Sequence, residues 1–132
     1  MNGFLIDTNA CVCFLRGLFD MRNKFEQAGL ENLNISEITL AELLFGVERS
    51  ANPDKNRAKL DVLLINTKVI GIRDALDHFA KEKARLTTAG QPLDDFDLLI
   101  GCTALTLDMV LVTNNRKHFD RLKDIKLADW TK

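Results

Sequence analysis

Short runs of apolar residues alternate along the chain with longer segments in which apolar residues recur at helical spacing. The first run, Phe4-Leu5-Ile6, is followed at once by Asp7 and a helical segment. Short apolar runs that are separated by helical segments indicate buried β-strands. We therefore predict strands at residues 4–6, 33–35, 69–72, 109–113 and 125–127.

The segments between these runs carry the i, i+3, i+4, i+7 pattern of amphipathic helices. The clearest stripe consists of Leu40, Leu43, Leu44 and Val47. Residues 95–107 are apolar on almost every side, which predicts a deeply buried helix. The predicted helices cover residues 8–16, 20–28, a segment after Thr39, a segment from Pro53, and residues 74–88, 95–107 and 118–122.

This alternation predicts an α/β fold, a parallel sheet that is covered by helices on both faces. A length of 132 residues suits one domain, which we assign to residues 1–132. Apolar residues make up 46% of the chain and charged residues 28%, and no run has the length of a membrane span. With three cysteines and no signal-peptide pattern, we expect a cytoplasmic protein with reduced thiols.

Three acidic residues fall where such a fold could bring them together. Asp7 ends the first strand, at the edge where open α/β sheets bind ligands, while Glu42 and Asp97 are predicted in the first turns of two helices. Each also has a structural explanation. Asp7 could be a helix N-cap, Glu42 could complete a capping box with Thr39, and Asp97 could follow an N-cap at Asp94.

A metal site is the alternative to these capping roles. Asp97 shares a helix stripe with the small residues Gly101 and Ala104, which would let another backbone approach it. Three carboxylates in one pocket would repel one another unless a cation lay between them. A hard divalent ion such as Mg²⁺ or Mn²⁺ takes carboxylate ligands and keeps several waters.

The net charge of −1 gives the whole chain no attraction for nucleic acid. Any such binding would need a local basic face or a metal in an acidic pocket. One candidate face lies within residues 114–126 and contains Arg116, Lys117, Arg121, Lys123 and Lys126, although such clusters are usually just solvated surface.

Four sequence motifs resemble those of PIN-domain nucleases and occur in the family's order. The first is Ile6-Asp7-Thr8-Asn9, and the second is Ile38-Thr39-Leu40-Ala41-Glu42-Leu43 with Gly46. The third is Pro92-Leu93 with residues 97–104, and the fourth is residues 111–115 with Phe119. At this length the chain is most similar to the VapC toxins of toxin–antitoxin pairs.

The resemblance implies a sheet in the order 3-2-1-4-5 and a metal-dependent endoribonuclease. Asp7, Glu42 and Asp97 would form the acidic core and hold Mg²⁺ or Mn²⁺, and the substrate would be a structured RNA such as tRNA. The sheet order would bring Thr113 and Asn114, after the fourth strand, into the pocket of Asp7.

The chain departs from the family where many relatives carry a fourth acid. Asn115 and His118 stand at those positions, and we expect His118 at the surface. Asn115 could ligate through its oxygen or bind RNA, and Asp120 could substitute for the missing acid. Asp95 could support the site as a neighbour of the ligands.

The resemblance also implies protein partners. VapC proteins usually form homodimers and are silenced by a VapB-type antitoxin whose tail covers the acidic pocket. The first two helices offer a docking surface of large apolar residues: Phe14, Leu18, Phe19, Met21 and Phe25. The alternative function is a PIN-like scaffold that binds RNA or protein with little or no cleavage.

Overall fold

The computed structural model describes residues 3–132, and these form a five-stranded sheet with helices on both faces. The strands are β1 (Phe4–Ile6), β2 (Leu33–Ser36), β3 (Lys68–Ile70), β4 (Val110–Val112) and β5 (Leu127–Ala128). The helices are α1 (Thr8–Leu15), α2 (Met21–Ala28), α3 (Glu37–Arg49), α4 (Pro53–Ile65), α5 (Leu76–Thr88), α6 (Asp95–Thr106) and α7 (Arg116–Phe119). Within residues 3–132, no helix is both long enough and apolar enough to cross a bilayer.

The sheet order is β3-β2-β1-β4-β5, and every neighbouring pair of strands is parallel. This confirms the predicted α/β class and the order implied by the resemblance. Leu5 pairs with Leu111 and Ile6 with Val112, so the carboxyl ends of β1 and β4 lie side by side. The residues that follow these two strands, Asp7 and Thr113, therefore start from neighbouring positions.

Successive residues of the central strands point into two different cores. Ile6 and Val112 belong to a cluster with buried residues of α1 to α4, among them Phe25 and Leu60. On the other face, Leu5 packs with buried residues of α5, α6 and α7. A strand that is buried on both faces is apolar throughout, which explains why the runs were visible in the sequence.

Several element boundaries differ from the predictions. The third strand ends at Ile70 because Ile72 leaves the sheet and donates its backbone N–H to Glu37 Oε2, at 2.6 Å. The last strand covers Leu127–Ala128 rather than residues 125–127, and the seventh helix begins at Arg116 rather than at residue 118.

The third helix begins earlier than we expected. Ser36 is its N-cap, because the Ser36 hydroxyl accepts a hydrogen bond from the backbone N–H of Ile38 at 3.0 Å. Glu42 therefore lies in the second turn of α3. The capping box that the sequence suggested for Thr39 and Glu42 is wrong, since that motif requires an N-cap at Thr39.

We expected Gly101 to let another backbone approach α6, and this is also wrong. Gly101 lies against the side chains of Leu122 and Phe119 instead of another backbone, and a Cβ at this position would collide with Leu122. Gly46, in the interior of α3, has open space where its Cβ would be.

These two helical glycines should respond oppositely to alanine. Gly46→Ala should raise the free energy of unfolding by up to about 1 kcal/mol, because alanine favours helix more than glycine. Gly101→Ala should lower it by about 1–3 kcal/mol, because the buried Leu122 side chain has to move. Urea denaturation of both variants checks this, and equal effects would mean that the packing around Gly101 adapts freely.

Candidate active site

Asp7 is both a helix N-cap and a buried acid. Its Oδ1 accepts the backbone N–H of Ala10 at 2.8 Å, and its own N–H donates to Val112 O at 3.0 Å. The structural explanation for Asp7 is therefore correct. Capping alone does not explain why Asp7 is buried, however. Only 4% of the residue is exposed, whereas an N-cap can remain in solvent.

Burial raises the pKa of Asp7 from 3.8 to about 6. Hydrogen bonds from the Thr113 side chain and the Ala10 backbone act in the opposite direction, while the charges of Asp97 and Glu42 raise the pKa further. The three predicted acids therefore share one electrostatic neighbourhood. No basic group is among the influences on Asp7 from the described residues, so this carboxylate lacks a local counter-charge.

Glu42 points from α3 toward the start of α1. Its Oε1 lies 2.6 Å from the Thr8 hydroxyl, which in turn lies 3.1 Å from the Thr39 hydroxyl. A carboxylate can only accept, so the single proton of Thr8 goes to Glu42 and Thr39 donates to Thr8. This hydroxyl chain holds the carboxylate of Glu42 beside the end of β1.

Asp97 lies in the first turn of α6, as predicted. Asp94 is the N-cap, and its Oδ2 accepts the N–H groups of Phe96 and Asp97 at 3.1 and 3.4 Å. The carboxylate of Asp97 is half-buried, and desolvation raises its pKa while His118 lowers it. Asp97 Oδ2 lies 3.2 Å from His118 Nδ1.

His118, which we expected at the surface, is partly exposed. Its side chain is 33% accessible, and its Nδ1 faces Asp97 of α6, a contact that the sequence did not predict. Sequence reasoning also missed Thr8 and Thr39. The position of Thr8 next to Asp7 in the first motif was a signal for its role, but its partner Glu42 lies 34 positions away in the chain.

The residues after β4 divide between the pocket and the solvent. Thr113 is buried, hydrogen-bonds Asp7 and accepts the Asn115 N–H at 2.9 Å. Asn115 is half-buried, and its amide lies 3.0 Å from His118 Nδ1. Asn114, in contrast, is exposed.

Two further acids named from the sequence lie at the surface. Asp95 is exposed and pairs with Lys83 of α5 at 2.9 Å. Asp120 follows the last residue of α7 and is also exposed. Asp7 thus lies within electrostatic range of Glu42 and Asp97, whereas Asp95 and Asp120 face solvent.

The donor set fits a hard divalent cation, although its side chains are not already gathered around one point. Within the described part of the chain, no three His, Cys, Asp or Glu side chains stand close enough to hold one ion. Each acid is instead held by its own donor: Asp7 by Ala10, Glu42 by Thr8 and Asp97 by His118. A buried carboxylate without a counter-charge and two further carboxylates within its electrostatic range nevertheless offer the oxygen ligands that Mg²⁺ or Mn²⁺ prefers.

A groove of about 280 Å³ adjoins this acidic pocket. Its apolar lining comes from α1 and α3: Val12, Leu15, Leu43, Gly46 and Val47. Its polar lining consists of Thr8, Arg16, Glu42, Ser50, Asn56 and Lys59. Of the apolar residues expected to form a docking surface, Met21 and Phe25 are buried in the core, and Phe14 stacks on Phe25. Leu18 and Phe19 are exposed.

A family model for the PIN domain matches residues 4–125 of the chain. The chain belongs to the PIN-domain family. This confirms the resemblance carried by the four motifs, and the acidic pocket lies where those motifs converge.

Curated relatives place the chain among the VapC proteins of this PIN-domain family. The tRNA(fMet)-specific endonuclease VapC of Salmonella typhimurium is 34% identical, over 96% of this chain and 97% of the relative. Ribonuclease VapC2 of Rickettsia felis is 33% identical, over 98% of both chains.

Solved structures agree with this placement in the PIN-domain family. A DNA-bound VapBC from Salmonella typhimurium matches with a TM-score of 0.92 and 31% identity, over 98% of this chain and 99% of that chain. VapBC2 from Rickettsia felis, bound to a promoter DNA fragment, matches with a TM-score of 0.90 and 30% identity over the same shares.

The raised pKa of Asp7 predicts that this PIN domain is less stable at neutral pH than an uncharged variant. Between pH of about 4 and 6 the folded protein binds more protons than the unfolded chain, so the free energy of unfolding falls as the pH rises through this window. In EDTA, Asp7→Asn should therefore be more stable at pH 7 by roughly 1–3 kcal/mol, and the difference should vanish near pH 4. Thermal or urea denaturation across this range measures it.

Asp94→Asn is the matched control, because Asp94 is also an N-cap but is exposed. It should show no comparable gain at pH 7. A destabilised Asp7→Asn at pH 7 would mean that capping by the charged carboxylate outweighs its burial.

Proposed function

We propose that the chain is a metal-dependent endoribonuclease, the toxin of a toxin–antitoxin pair, formed by a single PIN domain over residues 1–132. The observation that carries the proposal is the buried Asp7, whose charge is opposed by its surroundings and by Glu42 and Asp97. A divalent cation would relieve this opposition. The names of the VapC relatives, which are ribonucleases and a tRNA endonuclease, support RNA as the substrate.

In this proposal Asp7 and Asp97 hold Mg²⁺ or Mn²⁺, and Glu42 completes the site or positions the attacking water. When bound, the ion supplies a water of lowered pKa and stabilises the charge that develops on the phosphate. Thr8 keeps the Glu42 carboxylate oriented, and Thr113 does the same for Asp7 through its hydroxyl. Both hydroxyls thereby reduce the rearrangement that the reaction requires.

Contacts to the RNA would come from the segment after β4. Arg116 and Lys117 are exposed at the start of α7, next to Asn115, where they can contact phosphates. Two other members of the basic cluster already have partners: Lys126 pairs with Asp108, and Arg121 donates to Pro92 O. The usable basic face is therefore smaller than the sequence suggests.

Cleavage of RNA should depend on metal and on the buried acids. With purified protein and a total RNA or tRNA substrate, we expect discrete products with Mg²⁺ or Mn²⁺ and none with EDTA. Asp7→Asn should reduce cleavage to background, because it removes a charged ligand and keeps the N-cap acceptor. Gel analysis of the RNA ends measures this.

Asp95→Asn is the control for this experiment, since Asp95 is exposed and directed to Lys83. It should retain most of the activity. RNA that binds but is left intact under every condition would replace the nuclease with the binding-scaffold alternative.

The proposal includes a VapB-type antitoxin as partner and a homodimer as the form of the toxin. The VapBC assemblies among the solved structures support the antitoxin. The groove suits an apolar segment of such a partner, because the apolar residues of α1 and α3 line it, and Glu42 lies in the same groove. A basic side chain from the antitoxin could then neutralise the acidic pocket.

Gly46→Leu should block this groove without unfolding the protein. The glycine lines the groove and has open space where a side chain would begin. We expect the variant to lose at least about tenfold in affinity for the cognate antitoxin, since a filled groove excludes the partner's apolar anchor. Calorimetry with the purified antitoxin measures this.

Ala41→Leu adds a side chain at an exposed position of the same helix and is the matched control. It should bind the antitoxin like the natural chain. Equal binding by both variants would place the antitoxin on another surface.

A further inference from the structure

His118 occupies a place in the pocket that the proposed reaction does not yet use. Its Nδ1 lies 3.2 Å from Asp97 Oδ2 and 3.0 Å from the amide nitrogen of Asn115. The side chains of His118 and Asp97 are 33% and 30% exposed, so the contact is shielded from bulk water on most sides. The contact joins α7 to the first turn of α6.

The chemistry of the two neighbours determines which group donates. An ionised Asp97 can only accept, so its contact with His118 is attractive only when Nδ1 carries a proton. The Asn115 amide can turn its oxygen toward the same N–H, because its two ends are similar in size. His118 then donates from Nδ1, and both neighbours accept.

The 3.2 Å contact with a protonated Nδ1 restricts the orientation of the Asp97 carboxylate. A carboxylate at the start of a helix rotates readily, because its terminal torsion is broad. Fixing Oδ2 to His118 leaves Oδ1 outside this contact, on the other side of the carboxylate. Partners of this kind commonly orient metal ligands in proteins.

We propose that His118 is a positioning residue that fixes Asp97 through Oδ2 and leaves Oδ1 available to the divalent ion. The inference rests on the proposed function, because it assumes that Asp97 is a ligand. In this role His118 increases the affinity for the ion but does not bind the ion itself.

The test is Mn²⁺ binding to the full chain, measured by titration calorimetry after removal of metal. His118→Leu removes the donor and should weaken Mn²⁺ binding by about 10-fold or more. His118→Asn places an amide N–H close to the position of Nδ1 and should restore the affinity to within about threefold of the natural chain. A merely structural role would not produce this rescue.

Thermal denaturation in EDTA checks that both variants are folded at the titration temperature. If His118→Leu is not, His118→Ala is titrated in its place against the same criterion. Pulsed electron paramagnetic resonance of bound Mn²⁺ adds a second measurement, in which we expect no directly bonded nitrogen.

Equal Mn²⁺ affinity in all variants, or a loss that His118→Asn does not rescue, would overturn the positioning role. A directly bonded nitrogen that disappears in His118→Leu would also overturn it, since His118 would then be a ligand. Failure of the natural chain to bind Mn²⁺ would instead remove the metal site of the proposed function and the inference with it.

Discussion

The burial of acidic side chains at the carboxyl ends of parallel strands is the constraint on which the rest of the site depends. Asp7 has almost no contact with solvent, and its surroundings favour the neutral carboxyl so strongly that its pKa rises to about 6. One hydrogen-bonded helix cap does not require this degree of desolvation. The fold therefore keeps an unfavourable negative charge at a position where a bound cation would stabilise it.

The sheet order determines where this charge lies. Because β1 and β4 are neighbours, the residue after one strand meets the residue after the other, which places the Thr113 hydroxyl beside Asp7. Helices α1 and α6 both begin at the same edge and direct their N-terminal dipoles toward the acids. Buried side chains of β1 and β4 pack into a core on each face of the sheet, which fixes the position of both strands.

The pattern of apolar runs was sufficient for the fold class and the position of Asp7, because strands that are buried on both faces are apolar throughout. The sheet order came from the resemblance to PIN-domain nucleases. The sequence was less reliable where a partner distant in the chain decides the outcome. Glu42 was assigned to a first turn because its motif resembled a cap, whereas Ser36 begins the helix. The contact between His118 and Asp97 was missed, because it joins two helices that no local pattern connects.

The two outer strands limit how this protein can assemble. β3 has three residues and begins with an exposed lysine, while β5 has only two residues. Such short edges offer few free backbone groups, so an incoming chain cannot extend the sheet to a useful length. We therefore expect partners to dock elsewhere than on the sheet edges, and inhibitors designed as β-strand mimics should bind weakly because few backbone groups are free to pair.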